Sequence, residues 1–224
     1  MPAARRGGGS SLGASKSRLQ SQSKTLALHN GAGRVVVVAD THSDPHPRAD
    51  ELIAGLKPDH ILHAGDIGDL AVIDRLARIA PTSVVRGNID VHANALPDVL
   101  TIAVRKASGK GEQEGEGEQE GDSEQNEEDG EDLFKILLLH IGVIGPRIRA
   151  DAARLARAAG ASLVICGHSH VPFLGRDRDL SVFNPGSIGP RRFQLPIVFG
   201  VMDITPDRVD LKHIDCETGQ RWLP

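Results

Sequence analysis

Leu163-Val164-Ile165-Cys166-Gly167-His168-Ser169-His170 is the stretch on which the fold turns. Four apolar residues, a glycine and two histidines one residue apart read as a buried strand that runs into a loop. Side chains on an extended backbone alternate between faces. The two imidazoles therefore share a face only if the chain stays extended past Gly167. If the loop turns, they approach one point from different directions. Imidazoles presented at a strand end are frequent metal ligands, and a polar loop with two exposed histidines is the plain alternative. The other strand ends decide between these readings.

The same grammar recurs upstream. Val35-Val36-Val37-Val38-Ala39 is a β-branched run suited to a strand buried on both faces, and it ends at Asp40-Thr41-His42. His60-Ile61-Leu62-His63-Ala64 ends at Gly65-Asp66, and Ser83-Val84-Val85 ends at Arg86-Gly87-Asn88-Ile89-Asp90. Helical stripes lie between them, over Pro47–Leu56 and Leu70–Ile79, and a third covers Pro146–Ala159 before Gly160. Strand and helix in alternation predict an α/β sheet with parallel neighbours. Val99–Val104 and Phe134–Leu139 predict a strand pair, the second ending at His140. Strands are also expected over Leu180–Phe183, leading into Asn184-Pro185-Gly186-Ser187, and over Pro196–Ile204 and Val209–Ile214 as a closing antiparallel pair.

Composition bounds the rest. The chain has 224 residues, with 3% aromatics and no tyrosine, so Val, Ile, Leu and Ala must fill one domain-sized core. The net charge of −4 averages unlike regions: residues 1–33 carry +5, residues 107–132 carry −11, and the remainder is close to neutral at +2. Residues 1–33 read as a disordered basic tail ahead of a folded domain over 34–224, and 107–132 as a disordered acidic insert on the side away from the strand ends. A near-neutral folded part gives no strong nucleic-acid signal. No apolar run approaches the ~18 residues of a membrane span. Two cysteines make no disulfide framework, and Cys166 reads as a packed thiol. The expected location is cytoplasmic, although the acid-free basic N-terminus also fits an organellar transit peptide.

The residues just beyond the strands are Asp40, His42, Asp66, Asn88, His140, His168 and His170. Ligands of open α/β sheets bind outside the carboxyl ends of strands. Five strands deliver carboxylate, carboxamide and imidazole there, with Gly65, Gly87 and Gly167 allowing close backbone approach. Such oxygen and nitrogen donors suit Mn, Fe, Zn, Ni or Co. Seven are too many for one catalytic ion with an open position, and suit two ions sharing a bridging carboxylate.

In this order, Asp40-x-His42, Gly65-Asp66, Gly87-Asn88, His140 and Gly167-His168-Ser169-His170 resemble the signature of the calcineurin-like metallophosphoesterases. Gly87-Asn88-Ile89-Asp90 and Asn184-Pro185-Gly186-Ser187 add a resemblance to the small single-domain, bacterial-type phosphodiesterase branch. The resemblance implies a four-layer αββα sandwich of two mixed sheets, with a dimetal site at the C-terminal strand ends. It implies Asp40, His42 and His170 on one ion, Asn88, His140 and His168 on the other, and Asp66 between them. Two divalent ions, manganese foremost and Fe, Ni, Zn or Co otherwise, would keep a residual positive charge after two carboxylates and a bridging hydroxide. That charge suits hydrolysis of a small phosphate ester.

One departure stands out. Many members of the family place a proton-donating histidine directly after the asparagine, where this chain has Ile89. His92 is the nearby group with a near-neutral reference pKa, and joins Asp66 and Asn88 as a candidate catalytic residue. Asp90 is expected to anchor its loop or support a ligand histidine, and Arg191 and Arg192 are candidate phosphate contacts. The competing expectation is a non-catalytic protein-interaction scaffold on the same fold, like the retromer subunit, for which the acidic insert would recruit a protein partner. A homo-oligomer is compatible with either reading.

Overall fold

The computed structural model describes residues 19–107 and 130–223. The first half contains β1 (Ser21–His29), β2 (Gly33–Val38), α1 (Ala49–Gly55), β3 (His60–His63), α2 (Ala71–Ala77), β4 (Thr82–Val84) and β5 (Val99–Ala107). After the insert come β6 (Gly130–Leu139), the two-residue strands β7 (Val143–Ile144) and β8 (Arg147–Ile148), α3 (Ala150–Ala159) and β9 (Leu163–Ile165). The chain closes with β10 (Phe173–Asp177), β11 (Leu180–Asn184), β12 (Val198–Ile204), β13 (Val209–Asp215) and β14 (Arg221–Trp222).

Two six-stranded mixed sheets result, in the orders β1-β5-β6-β9-β11-β10 and β14-β13-β12-β2-β3-β4. The side-chain period of two sends each buried strand to two interfaces at once. Val35 and Val37 enter the core between the sheets, while Val36 and Val38 pack outward under α1 and α2. On the other sheet Ile136, Leu138 and Ile165 face inward, while Leu137, Leu139 and Val164 face Ala152 and Ala156 of α3. The four-layer order helix, sheet, sheet, helix follows directly from these alternating runs. Parallel pairing of β2 with β3, β3 with β4, and β9 with β6 and β11 brings their C-terminal ends to common edges.

Three expectations are corrected. Residues 21–29 are not a tail: β1 pairs in parallel with β5 over nine residues, and buries Leu26 and Leu28 in the inter-sheet core. The Thr25-Leu26-Ala27-Leu28 alternation is the signal, diluted by the polar residues that precede it. The remainder of the expected tail, 1–18, lies outside the described residues. At the insert, β5 runs on to Ala107 and β6 begins at Gly130, so the pair extends past the expected boundaries on both sides, and 108–129 lie outside the described residues. The helix expected from Pro146 begins at Ala150, because Gly145-Pro146 turns the β7–β8 hairpin. Strands β10 and β14 are additions; both are short and at sheet edges, where burial leaves little apolar pattern.

The burial of Leu28, which is 2% exposed, sets a test of the N-terminal strand. Leu28→Ala should lower stability by about 2–5 kcal/mol in urea denaturation, whereas a solvated tail would show no change.

Candidate metal centre

Asp40, His42, Asp66, His168 and His170 all lie in the left-handed backbone region, with φ between 46° and 71°. Each such non-glycine residue costs about 1–2 kcal/mol, so the loops around it must impose the geometry. Past β2 and β3 the two loops stay zipped: Asp40 N–H donates to Gly65 O, His42 N–H to Asp66 O, and Ser43 N–H to Ile67 O, at 2.8–3.0 Å. Buried His63 joins the same loops, accepting from Gly65 N–H at Nδ1 and donating from Nε2 to Thr41 Oγ at 3.1 Å.

Other residues clamp the remaining turns. The Asp90 carboxylate accepts from the backbone N–H groups of Ile67, Gly68 and Gly87 at 2.7–3.1 Å, so it anchors loops and supports no ligand histidine directly. Asn184 donates to Gly167 O and Ser169 Oγ, holding the His168-Ser169-His170 turn. Ser187 Oγ donates to Asp40 O. Gly87 sits so close to the adjoining loop that an added Cβ would lie 2.1 Å from Asp66 Oδ1.

These supports gather the expected donors into two clusters, one of Asp40, His42 and His170, the other of Asp66, His140 and His168. Within each, the donor atoms lie within 4.8 Å of one another. The loop turns after Gly167, so His168 and His170 go to different clusters. Asn88 joins the second through Oδ1, 3.2 Å from His140 Nε2. Asp66 faces both, with Oδ1 3.2 Å from His140 Nε2 and Oδ2 3.9 Å from His42 Nε2.

The donor chemistry fits metal. His140 Nδ1 lies 2.8 Å from the Ala64 carbonyl oxygen, so it carries the ring proton and donates it there. Nε2 is left with a lone pair aimed at Asn88 Oδ1 and Asp66 Oδ1. Three electron-rich atoms meeting at one point need a cation or a proton among them. In the other cluster His42 Nε2 and His170 Nε2 are 3.2 Å apart, and His170 Nε2 is 3.4 Å from Asp40 Oδ1. Buried His170 Nδ1 has no hydrogen-bond partner among the described residues.

Charge balance gives the same answer. Burial pushes the Asp40 carboxyl up to about 7 and pulls His170 down to about 4. Burial also opposes ionised Asp66 and protonated His140, but their mutual hydrogen bond and charges win, taking Asp66 down to about 2 and His140 upward. The site is short of positive charge and uses a proton to supply it. Cys166 is no competitor as a ligand: its thiol is buried in the α3 interface and pushed up to about 12.

The remaining candidates separate. Arg192 Nη2 donates to His42 Nε2 at 3.2 Å, placing a guanidinium at the cluster, while Arg191 is tied to Glu217 and Leu195 O. Ile89 offers the site its backbone N–H, 3.2 Å from Asp66 Oδ1, and an aliphatic side chain that is 41% exposed. His92 is exposed on the following turn and hydrogen-bonds none of the seven donors. Nothing in the sequence marks His63, Asn184 and Ser187 as supports, because their bonds join segments far apart in the chain.

The close packing at Gly87 generates a prediction. Gly87→Ala should displace Asp66 and weaken manganese binding on the order of 10–100-fold, as lost outer support does at metal sites. Isothermal calorimetry would read this, and unchanged affinity would show that the Gly87 contact does not hold Asp66 in position.

A model of the calcineurin-like phosphoesterase superfamily domain matches residues 34–207. A protein of Methanocaldococcus jannaschii described as a probable metallophosphoesterase is 27% identical over 199 residues, covering 86% of either chain. Among solved structures, a predicted phosphoesterase of Streptococcus pneumoniae superposes with a TM-score of 0.55 at 18% identity, over 83% of this chain and 91% of its own. Vacuolar Protein Sorting 29 of Cryptosporidium parvum superposes with a TM-score of 0.60 at 18% identity, over 86% and 95%. At such identity these two likenesses speak for the shared fold. With a family model spanning most of its length, the chain belongs to the calcineurin-like phosphoesterase superfamily.

Proposed function

We propose that the chain is a metal-dependent hydrolase of phosphoric esters, with phosphodiesters as the preferred substrates. The observation that carries this reading is the convergence of His140 Nε2, Asn88 Oδ1 and Asp66 Oδ1 on one point, a few ångströms from a second cluster of the same chemistry. Asp40, His42 and His170 would hold one divalent ion, and Asn88, His140 and His168 the other, with Asp66 shared. Bound there, two such ions supply Lewis acidity toward phosphoryl oxygens and water acidic enough to serve as a nucleophile near neutral pH.

The protein groups have distinct tasks. Asp66, fixed by the Ile89 N–H and the Gly87 contact, sets the separation of the two clusters. Exposed Asn88 and His168 leave the second cluster open to solvent, where an ester can enter. Arg192 is placed to pair with a phosphate oxygen once its bond to His42 is given up. His92, exposed on the turn after Ile89, is the candidate proton donor to a departing alkoxide, and the substrate must reach its turn to use it.

Hydrolysis of bis(p-nitrophenyl) phosphate and p-nitrophenyl phosphate with added manganese tests the reading. Activity should need the metal, favour the diester, and fall to background in Asp66→Ala and His168→Ala. Intact protein that binds no metal and hydrolyses neither ester would instead support the interaction scaffold. The missing acid has its own signature. Ile89→His should accelerate diesters with alkoxide leaving groups by up to ~10²–10⁴-fold, with little gain for p-nitrophenyl. His92→Gln should slow the alkoxide substrates alone.

A further inference from the structure

Beside the second cluster a cavity of about 290 Å³ opens between β5, β6 and α3. Asn88 and His140 are among its lining residues, so it adjoins the candidate metal centre. Leu19, Leu139, Ala152 and Leu155 supply its walls. A dry cavity of about 150 Å³ is enough for benzene, so this one holds a single ring with substituents. Its size is at the lower limit of ordinary ligand pockets, which start near 300 Å³.

The two arginines that border it are each paired with a carboxylate. Arg86 donates to both oxygens of Asp98, at 2.6 and 3.1 Å, and Arg149 to both oxygens of Asp151, at 3.0 and 2.9 Å. Such forked pairs satisfy cation and carboxylate together. A second phosphate or a carboxylate entering the cavity would have to compete with Asp98 and Asp151 for these guanidiniums, and would meet both carboxylates besides. Asp98 is further fixed by the Gln20 N–H at 2.8 Å, which ties the start of β1 to this wall.

We infer that this cavity is the specificity pocket for one ester group of the substrate, and that it selects an uncharged, apolar or aromatic group of about one ring. The inference rests on the hydrolase reading and adds the class of diester to it. Phosphate at the metal clusters would direct one organic substituent past Asn88 and His140 into the cavity, while the other remains in solvent. The apolar part of the lining favours apolar groups by their burial, and a hydrophobic pocket discriminates by ~10–200-fold for a small change in bulk.

The test compares methyl, phenyl and 4-carboxyphenyl diesters of p-nitrophenyl phosphate, all with the same leaving group and added manganese. In parallel, calorimetry measures binding of methylphosphonate and phenylphosphonate to the manganese-loaded protein. The phenyl diester should exceed both others in kcat/KM, on the order of tenfold or more. Leu155→Trp, which fills the cavity, should bring the phenyl-to-methyl ratio close to one in both assays, and its retained manganese affinity would report an intact fold. An unchanged ratio in Leu155→Trp, or a 4-carboxyphenyl diester as good as phenyl, overturns the inference. If no diester is hydrolysed, the hydrolase reading fails, and the phosphonate titration alone decides the cavity: phenyl preference lost in Leu155→Trp sustains it, and equal binding of the two phosphonates overturns it.

Discussion

Everything at the functional edge depends on left-handed turns held immediately after parallel strands. A strand that simply ran on would keep His168 and His170 on one face, two residues apart, and they could not go to different clusters as they do. Reversing φ at each of them redirects the side chains inward. Five such residues at about 1–2 kcal/mol each are a heavy load beside the ~5–15 kcal/mol net stability of a domain. The zipped loops after β2 and β3, with His63, Asp90, Asn184 and Ser187, sustain it. Strain held by surrounding bonds is characteristic of sites that must be rigid before their ligand arrives.

The same constraint explains why the two clusters are unequal in access. Asp40 and His170 lie under the Ser187 and Asn184 loops and are nearly inaccessible, whereas Asn88 and His168 face solvent. One ion would be enclosed and the other open. An open position on a catalytic ion is what substrate exchange requires, and the apolar cavity adjoins that open side.

Much of this edge was legible in the sequence, and the reason is local. Each donor lies within a few residues of the end of an apolar run, so strand periodicity places it near a strand end; Val35–Ala39 before Asp40 and Leu163–Cys166 before Gly167 are the clearest cases. What could not be read was set by distant partners. The role of β1 depends on pairing with β5, some 78 residues away, and its polar outer face hides a two-residue contribution to the core. Asp90 could be placed near the site but not given its three N–H partners, two of which come from the β3 loop. Arg191 and Arg192 are indistinguishable as neighbours in sequence, and distant partners separate them, Glu217 for the first and His42 for the second.

Strand β6 joins two very different environments. Glu131 and Asp132 lie at its first residues and His140 directly follows its last, about 30 Å away at ~3.3 Å per residue. That distance is several times the ~8 Å over which charges act at physiological salt. Charge at the β5–β6 tip is therefore felt weakly, if at all, by an anion at the metal edge. Evolution can lengthen, shorten or recharge the chain there without retuning the chemistry at the other end, which makes the tip a natural place for lineages to acquire new attachments.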